Sequence, residues 1–385
     1  MIVPALSSAV VTGRRVMIRA DLNVPIEKGR VANDQRIRAA LPAIRHCLDR
    51  GAAVIVLSHL GRPPEGTFDA RYSLAPVAEE LSRALGMTVP LRRDWLDGVD
   101  VSGGQAVLCE NVRFNAGEKD NSPELGKRMA ALCDLFVMDA FGSAHRAQAS
   151  VHAVARAAPE ACAGPLLLAE LRALQAAFSD PPRPLTAIAG GAKISGKLGV
   201  LRSLASRADV LIPGGGIANT LLGAAGVELG ASLAEPDMFA EARQVLSGSA
   251  KVLLPVDAVL ASSPDSPRRA RIATVEDVRP DEMILDIGPR TAALYAKTIA
   301  GAGAVVWNGP LGLFEVEAFA GGTRRVAEAV AASSAFRVAG GGDTLRALDE
   351  FGLASELDHL CTGGGAMLAW LQGSELPGVS VLQTR

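Results

Sequence analysis

Short runs of β-branched and other apolar residues alternate along this chain with longer Ala/Leu-rich stretches whose apolar positions recur at helical spacing. The short runs predict strands over Arg15–Ala20, Ala53–Ser58, Ala106–Cys109 and Leu135–Met138. Beyond Pro184 they predict strands over Leu185–Ala189, Val210–Pro213, Lys251–Leu254, Ala304–Trp307 and Phe336–Ala339. Helical patterns lie between them, over Arg36–Arg50, Leu74–Leu85, Pro123–Cys133, Thr291–Ala300, Arg324–Ala332 and Thr344–Phe351. Strands that are apolar at every position, rather than at alternate ones, must be covered on both faces. Intervening helices supply that cover and make the crossovers that parallel strands need. The pattern therefore predicts an α/β fold with mainly parallel sheets and helices on both faces.

Length divides the chain. One hydrophobic core stops growing at roughly 250 to 300 residues, and this chain has 385. The boundary is expected between Gly164 and Pro184. Pro165–Phe178 reads as one helix, and Asp180-Pro181-Pro182-Arg183-Pro184 stops it, because proline lacks an N–H and clashes with the preceding turn. A helix so placed reads as a connector between two α/β halves. Only 13 of the 40 glycines precede residue 185, and 27 follow it. The second half is thus richer in turns where backbone can approach a ligand closely.

Charge narrows the partners. With 39 Lys+Arg against 41 Asp+Glu, the formal net charge is −2. That lacks the bulk basicity of a nucleic-acid coat but leaves room for a small basic pocket. No apolar run reaches the roughly 18 residues that span a bilayer, so neither nucleic acid nor membrane is an expected partner. Cys47, Cys109, Cys133, Cys162 and Cys361 are scattered and never in CxxC spacing. Neither a disulfide framework nor a zinc site is expected, and a reducing compartment fits. Met1–Val11 lacks the charged start and long apolar core of a signal peptide. A cytoplasmic location is the expectation.

In open α/β sheets, ligands bind beyond the carboxyl ends of the strands, and the unusual residues fall there. The first predicted strand runs into Asp21-Leu22-Asn23-Val24-Pro25, and the second into His59-Leu60-Gly61-Arg62-Pro63. The third is followed by Glu110-Asn111-Val112-Arg113, and the fourth by Asp139-Ala140-Phe141-Gly142-Ser143-Ala144-His145-Arg146. Arg36 opens the first helix. Arg36, Arg62, Arg113 and Arg146, with His59, would form a cationic pocket, since guanidinium forks hold phosphate and carboxylate oxygens bidentately. Asp21 and Asn23 would supply acceptors for a substrate hydroxyl, and Asp139 would at most buttress the cluster. The inferred ligand is small, doubly anionic and hydroxylated.

The second half carries four glycine constellations after strands. They are Gly190-Gly191-Ala192-Lys193-Ile194-Ser195-Gly196-Lys197, Gly214-Gly215-Gly216, Gly340-Gly341-Gly342-Asp343-Thr344 and Thr362-Gly363-Gly364-Gly365. The third directly opens a helix, whose free N–H groups would cradle phosphate. Asp343 beside it can offer oxygen to Mg²⁺ in the manner that ion prefers with nucleotide phosphates. Gly191 to Lys197 has the Walker A spacing G-x-x-x-x-G-K, but Leu198 stands where Ser or Thr would hold the metal. No full G-x-G-x-x-G occurs, which argues against a dehydrogenase.

Eight strings in this order resemble the phosphoglycerate kinase family: RADLNVP (19–25), SHLGRP (58–63), LCENVRFNAGEKDN (108–121), DAFGSAHR (139–146), GGAKISGKLGV (190–200), LDIGP (285–289), VVWNGPLGLFEVEAF (305–319) and GGGDT (340–344). The resemblance implies two doubly wound, Rossmann-like α/β domains joined by a connecting helix. The first would span 1–165 with a returning tail from about 372 to 385; the helix and hinge 166–184; the nucleotide domain 185–371. It implies the glycolytic, reversible transfer of a phosphoryl group from 1,3-bisphosphoglycerate to MgADP, giving 3-phosphoglycerate and MgATP, in a monomer. Asp21, Asn23, Arg36, His59, Leu60, Gly61, Arg62, Arg113 and Arg146 would then bind phosphoglycerate. Lys193, Lys197, Gly214, Gly215, Asn308, Glu315, Gly341, Gly342, Asp343 and Thr344 would bind nucleotide, with Glu315 on the ribose and Asp343 towards Mg²⁺. Arg36, Lys197, Gly341 and Gly364 would carry the catalytic step. The sequence departs from the family pattern at Gly196, Met138 and Leu311, none of which is expected to bear chemistry.

Overall fold

The computed structural model describes residues 3–383. They form two compact units, the boundary falling between Leu171 and Arg172 inside the helix Pro165–Leu174. The chain from Glu375 onward rejoins the first unit, where the helix Pro377–Gln383 packs so closely that a Cβ on Gly378 would touch Val151 and Ala144.

In the first unit the chain forms β1 (Arg15–Ala20), a small hairpin of β2 (Ile26–Glu27) and β3 (Arg30–Val31), then β4 (Ala53–Leu57), β5 (Leu91–Arg92), β6 (Ala106–Cys109), β7 (Leu135–Asp139) and β8 (Ala161–Ala163). Six of them make one sheet in the order β5-β6-β4-β1-β7-β8, all pairs parallel. Val16, Ile18, Val54, Val56, Leu108 and Val137 from its strands join Ile37 and Ile44 of the helix Gln35–Leu48 in one buried core. The chain winds outward on one side of β1 and then on the other. The β1/β7 neighbourhood is therefore the switch point where the loops following the strands part and leave a crevice.

The second unit repeats the plan. It contains β9 (Leu185–Ala189), β10 (Val210–Pro213), β11 (Lys251–Val252), β12 (Asp257–Ala261), β13 (Arg271–Thr274), β14 (Met283–Ile287), β15 (Ala304–Asn308), β16 (Phe336–Gly340) and β17 (His359–Cys361). Its main sheet is parallel in the order β11-β10-β9-β15-β16-β17, with the switch point at β9/β15. Ile188, Val305 and Trp307 pack there against Tyr295 and Ile299 of the helix Pro289–Ala300.

The predicted strands are present, although Lys251–Leu254 contracts to Lys251–Val252 and β4 stops one residue short of Ser58. The helix expected over Arg36–Arg50 ends at Leu48, and that over Pro123–Cys133 ends at Ala130. Pro165–Phe178 is α-helical to Leu174 and then widens into a π turn, Gln175–Ser179. Unforeseen is an antiparallel sheet, β13-β12-β14. In β13, exposed and half-buried positions alternate, so it offers no continuous apolar run. The helices Gly215–Ala224 and Gly364–Leu371 also escape the pattern. Each opens on glycine, the poorest helix former after proline.

Candidate active site

The first unit's candidate residues converge on loops at the carboxyl ends of β1, β4, β6 and β7. Asn23 Oδ1 accepts from the Gly61 N–H at 2.8 Å, and the Gly61 carbonyl accepts from Arg113 Nη1, so three loops are tied at one residue. Gly61 has φ +60°, and a Cβ there would lie 2.3 Å from the Tyr72 ring, which fixes the residue as glycine. The Leu60 carbonyl accepts from Asn111 Nδ2 at 2.8 Å, while Asn111 Oδ1 accepts from the Arg113 N–H. Arg36 sits in the first turn of its helix and pairs with buried Asp21 at 2.7 Å. Arg62 is exposed and Arg146 half-buried, its Nε donating to His145 Nε2 at 3.1 Å.

The acceptors expected for a substrate hydroxyl each hold one bond within the protein, Asp21 Oδ2 from Arg36 and Asn23 Oδ1 from the Gly61 N–H, and each keeps a further lone pair. One expectation changes here. His59 is not cationic: burial, with Arg19, Arg113, Arg146 and Arg36 around it, holds its pKa well below the usual imidazole range. It adds a neutral ring to the pocket.

Sequence reading also missed members of this cluster. Arg19, wholly buried in β1, lies 3.1 Å from His59 Nδ1, and Glu118, equally buried, bonds Ser150 behind it. The signal was available. An arginine inside a strand covered on both faces must be paired, or it would not be there. Arg113 is buried too, and burial, with Arg146 and Arg19 beside it, brings its pKa down to about 10. Five guanidinium groups thus meet two carboxylates, Asp21 and Glu118, leaving an excess of positive charge. Asp139 belongs elsewhere. Its Oδ1 accepts from the Leu167 N–H at the start of the helix Pro165–Leu174, and burial raises its pKa to about 7.

The second unit's site is built from backbone. Lys197 Nζ donates to the Gly190 carbonyl and to Asn308 Oδ1, each at 2.6 Å, and Asn308 Nδ2 donates to the Gly340 carbonyl at 2.8 Å. Lys197 and Asn308 therefore lace together the ends of β9, β15 and β16. Burial lowers the Lys197 pKa to about 8, while Asp343 opposes the shift. Gly341 has φ +99° and caps the helix Gly342–Glu350, whose first-turn amides have no partner within the helix. A Cβ on Gly341 would lie 2.8 Å from Asn308 Nδ2, and one on Gly364 2.9 Å from the Gly341 Cα. Gly364 is thus a packing contact that lets a second helix start abut the glycine loop.

Other glycines behave differently from their expected role. The Gly215 N–H donates to the Leu311 carbonyl and the Gly214 N–H to the Ala189 carbonyl, so these amides serve the fold. A Cβ on Gly214 would meet Leu311, and one on Gly215 the Gly191 carbonyl at 2.9 Å. Thr344 is buried, its hydroxyl accepting from the Gly309 N–H at 2.7 Å. Glu315 pairs with Arg346 at 2.6 Å, and Lys193 and Asp343 are exposed. Nothing lies within 4 Å of a Cβ placed on Gly196.

Two crevices of this kind, one arginine-rich and one glycine-rich, find their match among known proteins. The phosphoglycerate kinase family model matches residues 6–374. A phosphoglycerate kinase of Nitratidesulfovibrio vulgaris is 53% identical over 377 residues, covering 97% of this chain and 96% of that one. The solved structure of phosphoglycerate kinase from Coxiella burnetii is 50% identical, with a TM-score of 0.94 and full coverage of both chains. That from Pyrococcus horikoshii is 31% identical, with a TM-score of 0.85 and 98% coverage of each. By sequence and by fold, the chain belongs to the phosphoglycerate kinase family.

Proposed function

We propose that this chain catalyses reversible phosphoryl transfer between the acyl phosphate of 1,3-bisphosphoglycerate and MgADP, giving 3-phosphoglycerate and MgATP. The observation that carries this reading is the pair of clusters of different construction, one rich in arginine and one in glycine, one at the switch point of each sheet. A small polyanion fits the arginine cluster of Arg36, Arg62, Arg113 and Arg146, with Asp21, Asn23, His59, Leu60 and Gly61 shaping it. A nucleotide's phosphates fit the amides of Gly341, Gly342, Asp343 and Thr344 beside Lys197 and Asn308. Lys193, Gly214, Gly215 and Glu315 complete that cleft. Exposed Asp343, a hard oxygen donor at the mouth of the loop, suits Mg²⁺, which when bound would spread the charge of the nucleotide phosphates.

In the ATP-consuming direction a 3-phosphoglycerate carboxylate oxygen attacks the γ-phosphorus in line. The new acyl P–O bond forms as the bond to the β-phosphate oxygen breaks, and ADP leaves with the electron pair. No proton moves, so no general base is required. The chain's task is positioning and charge neutralisation. Arg36 and Lys197 supply cationic donors for the moving group, and the loop amides add fixed dipoles. Closure about residues 166–184 would bring the substrates together and exclude water from the acyl phosphate. We further assign the protein to the cytoplasm as a monomer. A coupled assay with ATP and 3-phosphoglycerate, with and without Mg²⁺, tests the reading. ADP formation that needs both 3-phosphoglycerate and Mg²⁺ is expected; hydrolysis of ATP without 3-phosphoglycerate would overturn it.

A further inference from the structure

We propose that Glu118 and Ser150 are positioning residues for His59, acting through Arg19 to dictate which ring nitrogen carries the proton. All four side chains are buried in the first unit, with exposures of 0% for Arg19, Ser150 and Glu118 and 5% for His59. Glu118 Oε1 accepts from the Ser150 hydroxyl at 2.6 Å, and Glu118 Oε2 from the Ser150 N–H at 2.9 Å. The Ser150 oxygen in turn faces Arg19 Nε at 3.0 Å, while Arg19 Nη1 donates to the Ala20 carbonyl at 2.7 Å. Arg19 Nη2 lies 3.1 Å from His59 Nδ1.

The direction of each hydrogen bond follows from what its ends can do. An ionised carboxylate only accepts, so the Ser150 hydroxyl hydrogen points to Glu118 and its lone pair remains for Arg19. A guanidinium only donates. His59 Nδ1 must therefore accept, and the ring proton is left on Nε2 as a neutral donor. A proton on Nδ1 would instead confront an Arg19 N–H across 3.1 Å. Glu118 also supplies the negative charge that a wholly buried Arg19 needs; burial works against its ionisation, while Arg19 and the two Ser150 bonds favour it. Neither Glu118 nor Ser150 has to reach a ligand to act. Their effect is transmitted along the chain Glu118–Ser150–Arg19–His59 to the face of the pocket.

The kinetic part rests on the reading of this pocket as the phosphoglycerate site; the tautomer does not. Full-length protein with ¹⁵N-labelled histidine, its His59 signals assigned by loss in His59→Gln, reports the tautomer by long-range ¹H–¹⁵N correlation. The expected wild-type result is an unprotonated Nδ1 and a protonated Nε2. Ser150→Ala and Glu118→Gln are expected to mix the tautomers. They should raise KM for 3-phosphoglycerate about tenfold, the loss of one charge-assisted bond, with a smaller change in kcat. Ser150→Thr, which keeps the hydroxyl, should restore the wild-type spectrum. A proton on Nδ1 in the wild type overturns the proposal even if the variants do not fold. So does a wild-type tautomer in folded Ser150→Ala and Glu118→Gln. A wild-type protein with the expected tautomer but no turnover of 3-phosphoglycerate would defeat the substrate assignment alone.

Discussion

The two proposed anion sites would answer the same electrostatic problem with different material. In the first unit, long side chains from a strand, a helix and several loops converge, and Arg19 and Arg113 among them are buried. In the second, glycine removes side chains from around the backbone amides at a helix start, and Lys197 is a half-buried cation. Like charges held together resist the empty state and favour a polyanion. Backbone dipoles hold less charge but need no side-chain ordering, because the helix already fixes them. The first site should therefore depend on individual residues, and the second on local geometry.

The largest effect is expected at the boundary of these roles. Arg36→Ala should lower kcat by about 10²- to 10³-fold, with nucleotide affinity changed far less; steady-state kinetics and calorimetry with ADP separate the two. Full activity in that variant would remove Arg36 from the reaction. Next comes Lys197→Ala, expected to weaken ATP binding by about 10- to 100-fold, as for a lost charge-assisted bond. Retained ATP binding with lost 3-phosphoglycerate binding would exchange the two site assignments.

A third comparison uses pH. Phosphate binding favours protonated Lys197, whose pKa in the free protein is lowered to about 8. Nucleotide affinity should hold below that value and fall above it, by at most about tenfold per pH unit. The arginine site should change little up to pH 9, because even Arg113 titrates near 10. Parallel titrations of ADP and 3-phosphoglycerate binding show whether the two curves separate; coincident curves would contradict the difference drawn between the sites. The smallest effect is expected at Gly196, where a side chain meets open space and no positive φ requires glycine. Gly196→Asp should fold and shift unfolding stability by no more than about 1 kcal/mol, measured by urea denaturation.

Legibility from sequence followed the same division. The parallel strands were readable because burial on both faces leaves continuous apolar runs such as Ala53–Leu57. The arginines stood out at strand ends, but their partners did not. Glu118 lies 32 positions from Ser150, and Arg19 lies 131 positions from it, separations that no local pattern encodes. Glycines were visible as letters yet ambiguous in purpose. Gly341 caps a helix at the proposed phosphate cradle, whereas Gly216 lets a helix pass within contact of the Ala192 carbonyl. In the β12–β14 sheet, β13 stayed hidden because its alternation of half-buried and exposed positions carries a weak apolar signal.

The bonds that Lys197 makes with Gly190 and Asn308 turn ligand capture into an exchange. A phosphate bound there as proposed would not meet a bare ammonium group: two of that group's three N–H donors are already held by carbonyl oxygens, which solvate its charge. The net gain is a difference between two similar contacts, and only an anionic oxygen can make it favourable. An uncharged nucleoside has nothing to offer in that trade and would leave the lysine where it is. Adenosine binding should therefore be indifferent to Lys197, so that this residue discriminates phosphorylated from unphosphorylated ligands more than it strengthens binding in general.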